Sequence, residues 1–267
     1  MRALPAFTTL VLFAFSGTGF AQAKKTSVTT FTYKKVGDLE IKLDAHRLAD
    51  NKIRPLTVWI HGGALINGGR SGIGPGQQLV QAGYVVVSID YRLAPETKLP
   101  AIISDVEDAF KWIRKNGREK FQADTSKIAV LGGSAGGHLT FTTGFRVKPP
   151  PTVLVAYWGY GDLIGPWLSQ PSPHKRHQSR TLTPAKMKAV EAGPAVANSR
   201  DRKGNGGAYY QTCRKLGIWP EKVSGFAETD AKKFAPFMAD RKSVVEGTSV
   251  DRGGRGVIKK KTCPVKN

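Results

Sequence analysis

Cysteine and acidic residues are both scarce in this 267-residue chain. Only Cys213 and Cys263 occur, and neither sits in a CxxC or CxxH spacing. That excludes a disulfide-rich scaffold and a structural zinc site. Asp and Glu number 20 against 41 Lys and Arg, a formal net charge of +21. Such a balance excludes a calcium-cage type of protein and raises the question of a polyanionic partner. Long apolar runs are missing too, so nothing reaches the roughly 20 residues that cross a bilayer. No internal repeat and no coiled-coil heptad appear.

What remains is the composition of a globular protein, 40% hydrophobic and 23% charged, with length for one large domain or two small ones. The basic excess is uneven: 18 basic against 11 acidic residues up to position 140, and 23 against 9 beyond it. Met1–Ala23 reads as a secretory leader. Arg2 supplies the positive start, Phe7–Phe15 the short apolar core, and Ala21-Gln22-Ala23 a small-x-small cleavage site. The mature chain is therefore expected to start near Lys24 and to be exported, to a periplasm or to the medium.

Alternation of apolar and polar residues predicts a hairpin from Ser27–Tyr33 and Leu39–Ala45 around Gly37-Asp38. Short apolar runs predict buried strands at Leu56–Ile60, Tyr84–Ile89, Lys127–Leu131 and Thr152–Trp158. Helices are predicted over Gln77–Ala82, Pro100–Asn116, Ala135–Phe145, Pro184–Ala192 and Gly207–Leu216, with a loop or lid at Gly159–Arg180. Strands alternating with helices imply an α/β fold, with a mostly parallel sheet covered on both faces.

Two motifs carry chemistry. In Ile128–Gly137 a strand runs through Gly132-Gly133-Ser134-Ala135-Gly136 into a helix, a G-x-S-x-G pattern that projects the Ser134 hydroxyl above the sheet. Gly132 and Gly136 flank it where strand and helix pack too closely for side chains. The second motif, His61-Gly62-Gly63-Ala64, follows directly on a buried strand. Its glycine N–H groups suit an oxyanion hole, with Ala135 N–H as a further donor. The His61 side chain reads as a loop anchor, because it precedes Ser134 in the chain.

Between them lies Asp90-Tyr91-Arg92-Leu93-Ala94-Pro95-Glu96. HGGA, DYRLAPE, LPAIISDVEDAFKWI and LGGSAGGHL, in this order, resemble the α/β-hydrolase fold esterases and lipases of the hormone-sensitive-lipase type. The GGSAGGHL form is more similar still to the group that includes feruloyl and acetyl-xylan esterases. The resemblance covers Val36–Trp158. It implies Ser134 as nucleophile, oxyanion donors at Gly62, Gly63 and Ala135, and a supporting role for Asp90-Tyr91-Arg92.

A serine nucleophile needs a His base and an acid that orients it, in the chain order Ser, acid, His. The resemblance places these two on loops after later strands, and no buried strand is legible beyond Trp158. His138 lies one turn past Ser134 and reads as packing beside it. His174 and His177 lie in the basic loop Pro171–Arg180, where either could be recruited as base, and they lack the neighbours of a metal pair. Asp162, Glu228 and Asp230 are possible acids, with nothing to select one.

Asp240–Lys261, DRKSVVEGTSVDRGGRGVIKKK, has no amphipathic period and resembles the translation of a sequencing-adapter read ending in a poly-A run. A solvated basic tail is the alternative for residues 240–267. The expectation is thus a leader (1–23), a hydrolase domain lacking its last strands (24–239) and a doubtful tail. Function is expected to be that of an exported serine carboxylesterase, inactive as it stands. It would need no metal or cofactor, and its substrate would be a small-molecule or polysaccharide ester. The other reading is a non-catalytic hydrolase-fold protein that binds a polysaccharide or another polyanion. Nucleic acid is not expected as a partner, since the basic residues are scattered and no DNA- or RNA-binding signature appears. Acyl preference and oligomeric state are not legible.

Overall fold

The computed structural model describes residues 23–227 and 229–238. The expected leader, apart from Ala23, and the expected tail, with Cys263, lie outside the described residues, as does Glu228. Six strands form one sheet. They are β1 (Thr26–Val36), β2 (Leu39–Leu48), β3 (Arg54–Ile60), β4 (Val85–Ile89), β5 (Ala123–Gly133) and β6 (Val153–Tyr157), in the order β1-β2-β4-β3-β5-β6. The β1–β2 hairpin joins β4 antiparallel, and β4, β3, β5 and β6 run parallel.

Residues of β3 and β4 alternate between the two faces of the sheet. Leu56, Val58 and Ile60, with Val85, Val87 and Ile89, enter the main core. Val86 and Trp59 face the other way, into a smaller cluster with Leu48 and with Val80 of α1 (Gly76–Gln81). The main-core face is covered by α2 (Leu99–Phe121) and α3 (Ala135–Arg146). Along α2, Ile102, Ile103, Val106, Ala109, Phe110 and Ile113 are buried at helical spacing. Fully burying each of the larger ones contributes about 1.5–3 kcal/mol. α2 runs past the expected end at Asn116, because Gly117 packs against Thr125 and Phe121 instead of capping. It stops at Gln122, which takes a left-handed φ of 50°.

One expectation needs correction. Thr152–Trp158 reads as a strand buried on both faces, but β6 is the edge strand, with Val153 46% and Trp158 88% exposed. An apolar run reports composition, whereas burial on both sides also needs a neighbouring strand, and none pairs with β6 beyond β5 among the described residues.

The rest of the described chain is a series of short helices and turns. It comprises α4 (Pro166–Ser169), a 3₁₀ turn at Lys175–His177, α5 (Pro184–Glu191), α6 (Gly206–Leu216), α7 (Trp219–Ser224) and α8 (Ala231–Phe234). Its anchors are nonlocal. Trp219 is 1% exposed, and its indole N–H donates to the Ala64 carbonyl at 3.2 Å. Gly159–Arg180, expected as a loop or lid, is irregular backbone around α4 and the 3₁₀ turn, with Leu163, Leu168 and His177 buried.

Candidate active site

β5 ends at Gly133 and α3 begins at Ala135, so Ser134 alone makes the turn. Its backbone holds φ 55° and ψ −119°, a left-handed φ that costs a non-glycine residue free energy and persists where the surroundings enforce it. Here they do. Ser134 N–H donates to the Tyr157 carbonyl at 2.8 Å, which ties the turn to β6, and His138 N–H donates to the Ser134 carbonyl at 3.1 Å. A Cβ on Gly136 would collide with the Ile60 carbonyl oxygen, and one on Gly132 with that of Gly136. Both flanking glycines are thus required by close backbone approach. The outcome is an exposed serine at the C-terminal end of β5, its hydroxyl bonded to no described residue.

The His61–Ala64 loop lies directly against this turn. A Cβ on Gly62 would come within 2.6 Å of the Gly133 carbonyl oxygen and 3.3 Å of Ser134 Cβ. Gly63 takes φ +109°, a conformation that L side chains rarely adopt, and its carbonyl accepts from Ile66 and Asn67 N–H. No hydrogen bond within the described residues takes up the N–H of Gly62, Gly63 or Ala135. Three backbone donors thus flank Ser134, one of them at the N-terminus of α3, where the helix dipole favours negative charge. In an acyl-transfer site, each such donor is worth about 3–4 kcal/mol of transition-state stabilisation.

The motif between β4 and α2 braces the loop. Tyr91 OH donates to the His61 carbonyl at 2.8 Å, and the two rings stack at 4.3 Å. Asp90 accepts from Arg70 N–H at 2.7 Å and pairs with its guanidinium. Arg92 grips Asp105 through Nε at 2.7 Å and Nη2 at 2.8 Å. Glu96 meets Arg202 at 2.6 and 2.7 Å, with both side chains 2% exposed. Arg202 also donates to the carbonyls of Ile66 and Ala94.

Two histidines near Ser134 are buried in mirrored fashion. His61 Nδ1–H donates to the Gly62 carbonyl at 2.8 Å, and His138 Nδ1–H to that of Tyr160 at 2.9 Å. In each the Nε2 is buried without a partner. Burial pushes the pKa of both down to about 4, against the raising effect of those hydrogen bonds. They anchor loops as neutral rings.

A cavity of about 310 Å³ opens over Ser134, Gly63, Ala64 and Asn67, and its far wall is Arg176, His177, Tyr210 and Gln211. The structure therefore brings His177 to the cavity that holds Ser134. Both of its ring nitrogens are engaged, however. Nε2 accepts from Arg176 Nε at 3.0 Å, and Nδ1–H donates to Ser172 Oγ at 2.7 Å. Burial, then the cations Arg214 and Arg176, push its pKa down to about 4. His174 lies exposed outside, accepting from Arg176 N–H at 3.2 Å. Of the candidate acids, Asp162 accepts from Ile164 N–H at 2.9 Å, and Asp230 caps α8 and pairs with Lys233 at 2.9 Å. No described residue stands hydrogen-bonded to Ser134 as a base. Among the described residues, no group of three or more His, Cys, Asp or Glu side chains is placed to hold a metal, and no helix is long and apolar enough to cross a membrane. Of the far wall the sequence singled out His177 alone; Arg176, Tyr210 and Gln211 carried no signal, since they reach the cavity only by tertiary packing.

The turn, the glycine loop and the brace between them all fall within the stretch that the BD-FAE family model matches, residues 39–149. Over those residues the chain is similar to the BD-FAE family. Within curated proteins, the chain is similar to Esterase LipC of Mycobacterium tuberculosis H37Rv, 40% identical over 112 residues. That match covers 40% of this chain and 28% of LipC. It is also similar to the non-reducing polyketide synthase atr1 of Stereocaulon alpinum, 35% identical over 163 residues, covering 54% of this chain and 6% of that protein. The chain thus spans under a third of the length of these relatives. Two solved structures share its fold. An α/β hydrolase superfamily protein from Enterococcus faecalis superposes with a TM-score of 0.58 at 19% identity, covering 82% of this chain and 73% of that one. A protein of unknown function from Staphylococcus aureus subsp. aureus Mu50 gives 0.61 at 19% identity, covering 76% and 72%. The fold is an α/β-hydrolase fold, incomplete among the described residues.

Proposed function

We propose that this chain is an exported carboxylic ester hydrolase that acts through an acyl-Ser134 intermediate. One observation carries the reading: Ser134 is exposed on a strained strand-to-helix turn, with the free N–H groups of Gly62, Gly63 and Ala135 around it. Ser134 Oγ would add to the ester carbonyl, and the three N–H groups would hold the resulting oxyanion. The alcohol would leave with a proton, and water would then release the acid from Ser134. Proton transfer by a positioned base contributes about 10²–10⁴-fold. With His177 engaged elsewhere and no other histidine free to reach Ser134, turnover in this chain is slow. The same observation leaves the non-catalytic binding reading as the competitor, and one assay separates the two.

The full chain is expected to hydrolyse 4-nitrophenyl acetate slowly, and Ser134→Ala to lower that rate at least tenfold. A rate unchanged by Ser134→Ala would reject the acyl-enzyme reading in favour of the binding one. Fast turnover abolished by Ser134→Ala would keep the nucleophile and reject the missing base. Export is tested separately: secreted protein should begin near Lys24.

A further inference from the structure

Arg176, which lines the Ser134 cavity, and Arg214, which stands one turn along α6 from the lining residue Tyr210, are cations with no carboxylate partner among the described residues. Arg214 is 5% exposed, yet its Nε and Nη1 meet no hydrogen-bond partner, and it forms no ion pair with a described residue. Its guanidinium lies over the Trp167 ring, 5.5 Å from the centroid, which leaves the in-plane donors unused. A buried cation without a counter-charge is costly, and proteins pair or neutralise such groups. Arg214 is one helical turn from Tyr210, on the same side of α6, and Tyr210 lines the cavity. Arg176 lines the cavity too, pairs with no described carboxylate, and acts electrostatically on Arg214. Tyr160, also within electrostatic reach of Arg214, has a buried hydroxyl without a partner. No lining residue of the cavity is acidic.

We propose that Arg214 and Arg176 form a carboxylate site, in which they, with the Tyr160 and Tyr210 hydroxyls beside them, receive a negatively charged part of the substrate. The chemistry fits. A guanidinium presents forked donors matched to a carboxylate, and a tyrosine hydroxyl adds a neutral donor. Combined with the reading of Ser134, on which only this step rests, the substrate class is an ester whose acid or alcohol portion bears a carboxylate.

Equilibrium binding to the full chain tests the site without any acyl transfer. The probes are N-phenylsuccinamate, which is not an ester, and its neutral counterpart N-phenylbutyramide. At low salt the succinamate is expected to bind at least tenfold more tightly, in both the parent and Ser134→Ala. Arg176→Gln, a change at an exposed side chain, should cut that preference at least fivefold, and high salt should weaken it. Arg214→Gln should abolish it. Because that buried change could unfold the chain, the decision rests on Arg176→Gln. Equal affinity for the two probes, or a preference untouched by Arg176→Gln, overturns the proposal. If the preference holds while 4-nitrophenyl hemisuccinate is hydrolysed no differently in Ser134→Ala, the carboxylate site stands and the Ser134 reading falls.

Discussion

A Glu96→Gln variant is expected to be about 3–5 kcal/mol less stable than the parent chain. Glu96 and Arg202 meet in two short hydrogen bonds, and each side chain is 2% exposed. Gln keeps the shape and one acceptor but removes the counter-charge, which leaves a guanidinium out of water with only carbonyls for company. The damage is not local. Arg202 lies beyond α5 and fastens that segment to the carbonyls of Ile66 and Ala94, on the two loops behind the Ser134 cavity. For a domain of this size, 3–5 kcal/mol corresponds to a Tm lower by about 6–20 °C. Urea and thermal unfolding of the variant check this. A loss under about 1 kcal/mol would show that the pair is screened, as surface ion pairs are.

Acidification is expected to remove still more stability, and earlier than the carboxylates would. His61 and His138 are buried neutral, with their pKa values pushed down to about 4. Unfolded, each titrates near 6.5. Between those values the unfolded chain binds protons that the folded chain refuses, so stability falls as pH falls. The stabilising contribution is complete above about 6.5 and is lost progressively toward 4. The slope is about 1.4 kcal/mol per pH unit for each ring, or about 3 kcal/mol each over the window. The structural cause is plain: each Nε2 is buried with no acceptor to receive a second proton. Unfolding free energies measured at pH 7, 5.5 and 4.5 should show this slope. A flat profile across that range would mean that water or a partner reaches those nitrogens.

How much of this was legible beforehand depends on range. β3, β4 and β5 announced themselves by apolar runs, and the Ser134 turn by glycines whose necessity the backbone collisions now explain. Ser134 and its three N–H donors come from segments with local signatures, and the structure brings them together at one turn. The cavity's other wall has no such signature beyond the candidate base His177. Arg176, His177, Tyr210 and Gln211 are placed by packing between distant segments, among them Trp219 on Ala64 and Arg202 on Glu96. α7 and α8 are too short for a periodic signal. β6 was misread because an edge position is a property of the sheet, not of the strand. Arg214 offered no hint in the sequence, since an unpaired charge becomes visible only once burial is known.

The most direct test of Ser134 as the nucleophile is intact-mass analysis of the full chain after incubation with a fluorophosphonate, with and without added imidazole. Ser134 has free backbone N–H groups around it but no base among the described residues. One slow adduct is therefore expected, mapped to Ser134, absent in Ser134→Ala and formed at least tenfold faster when imidazole supplies the missing base. An adduct that persists in Ser134→Ala would contradict Ser134 as the reactive group.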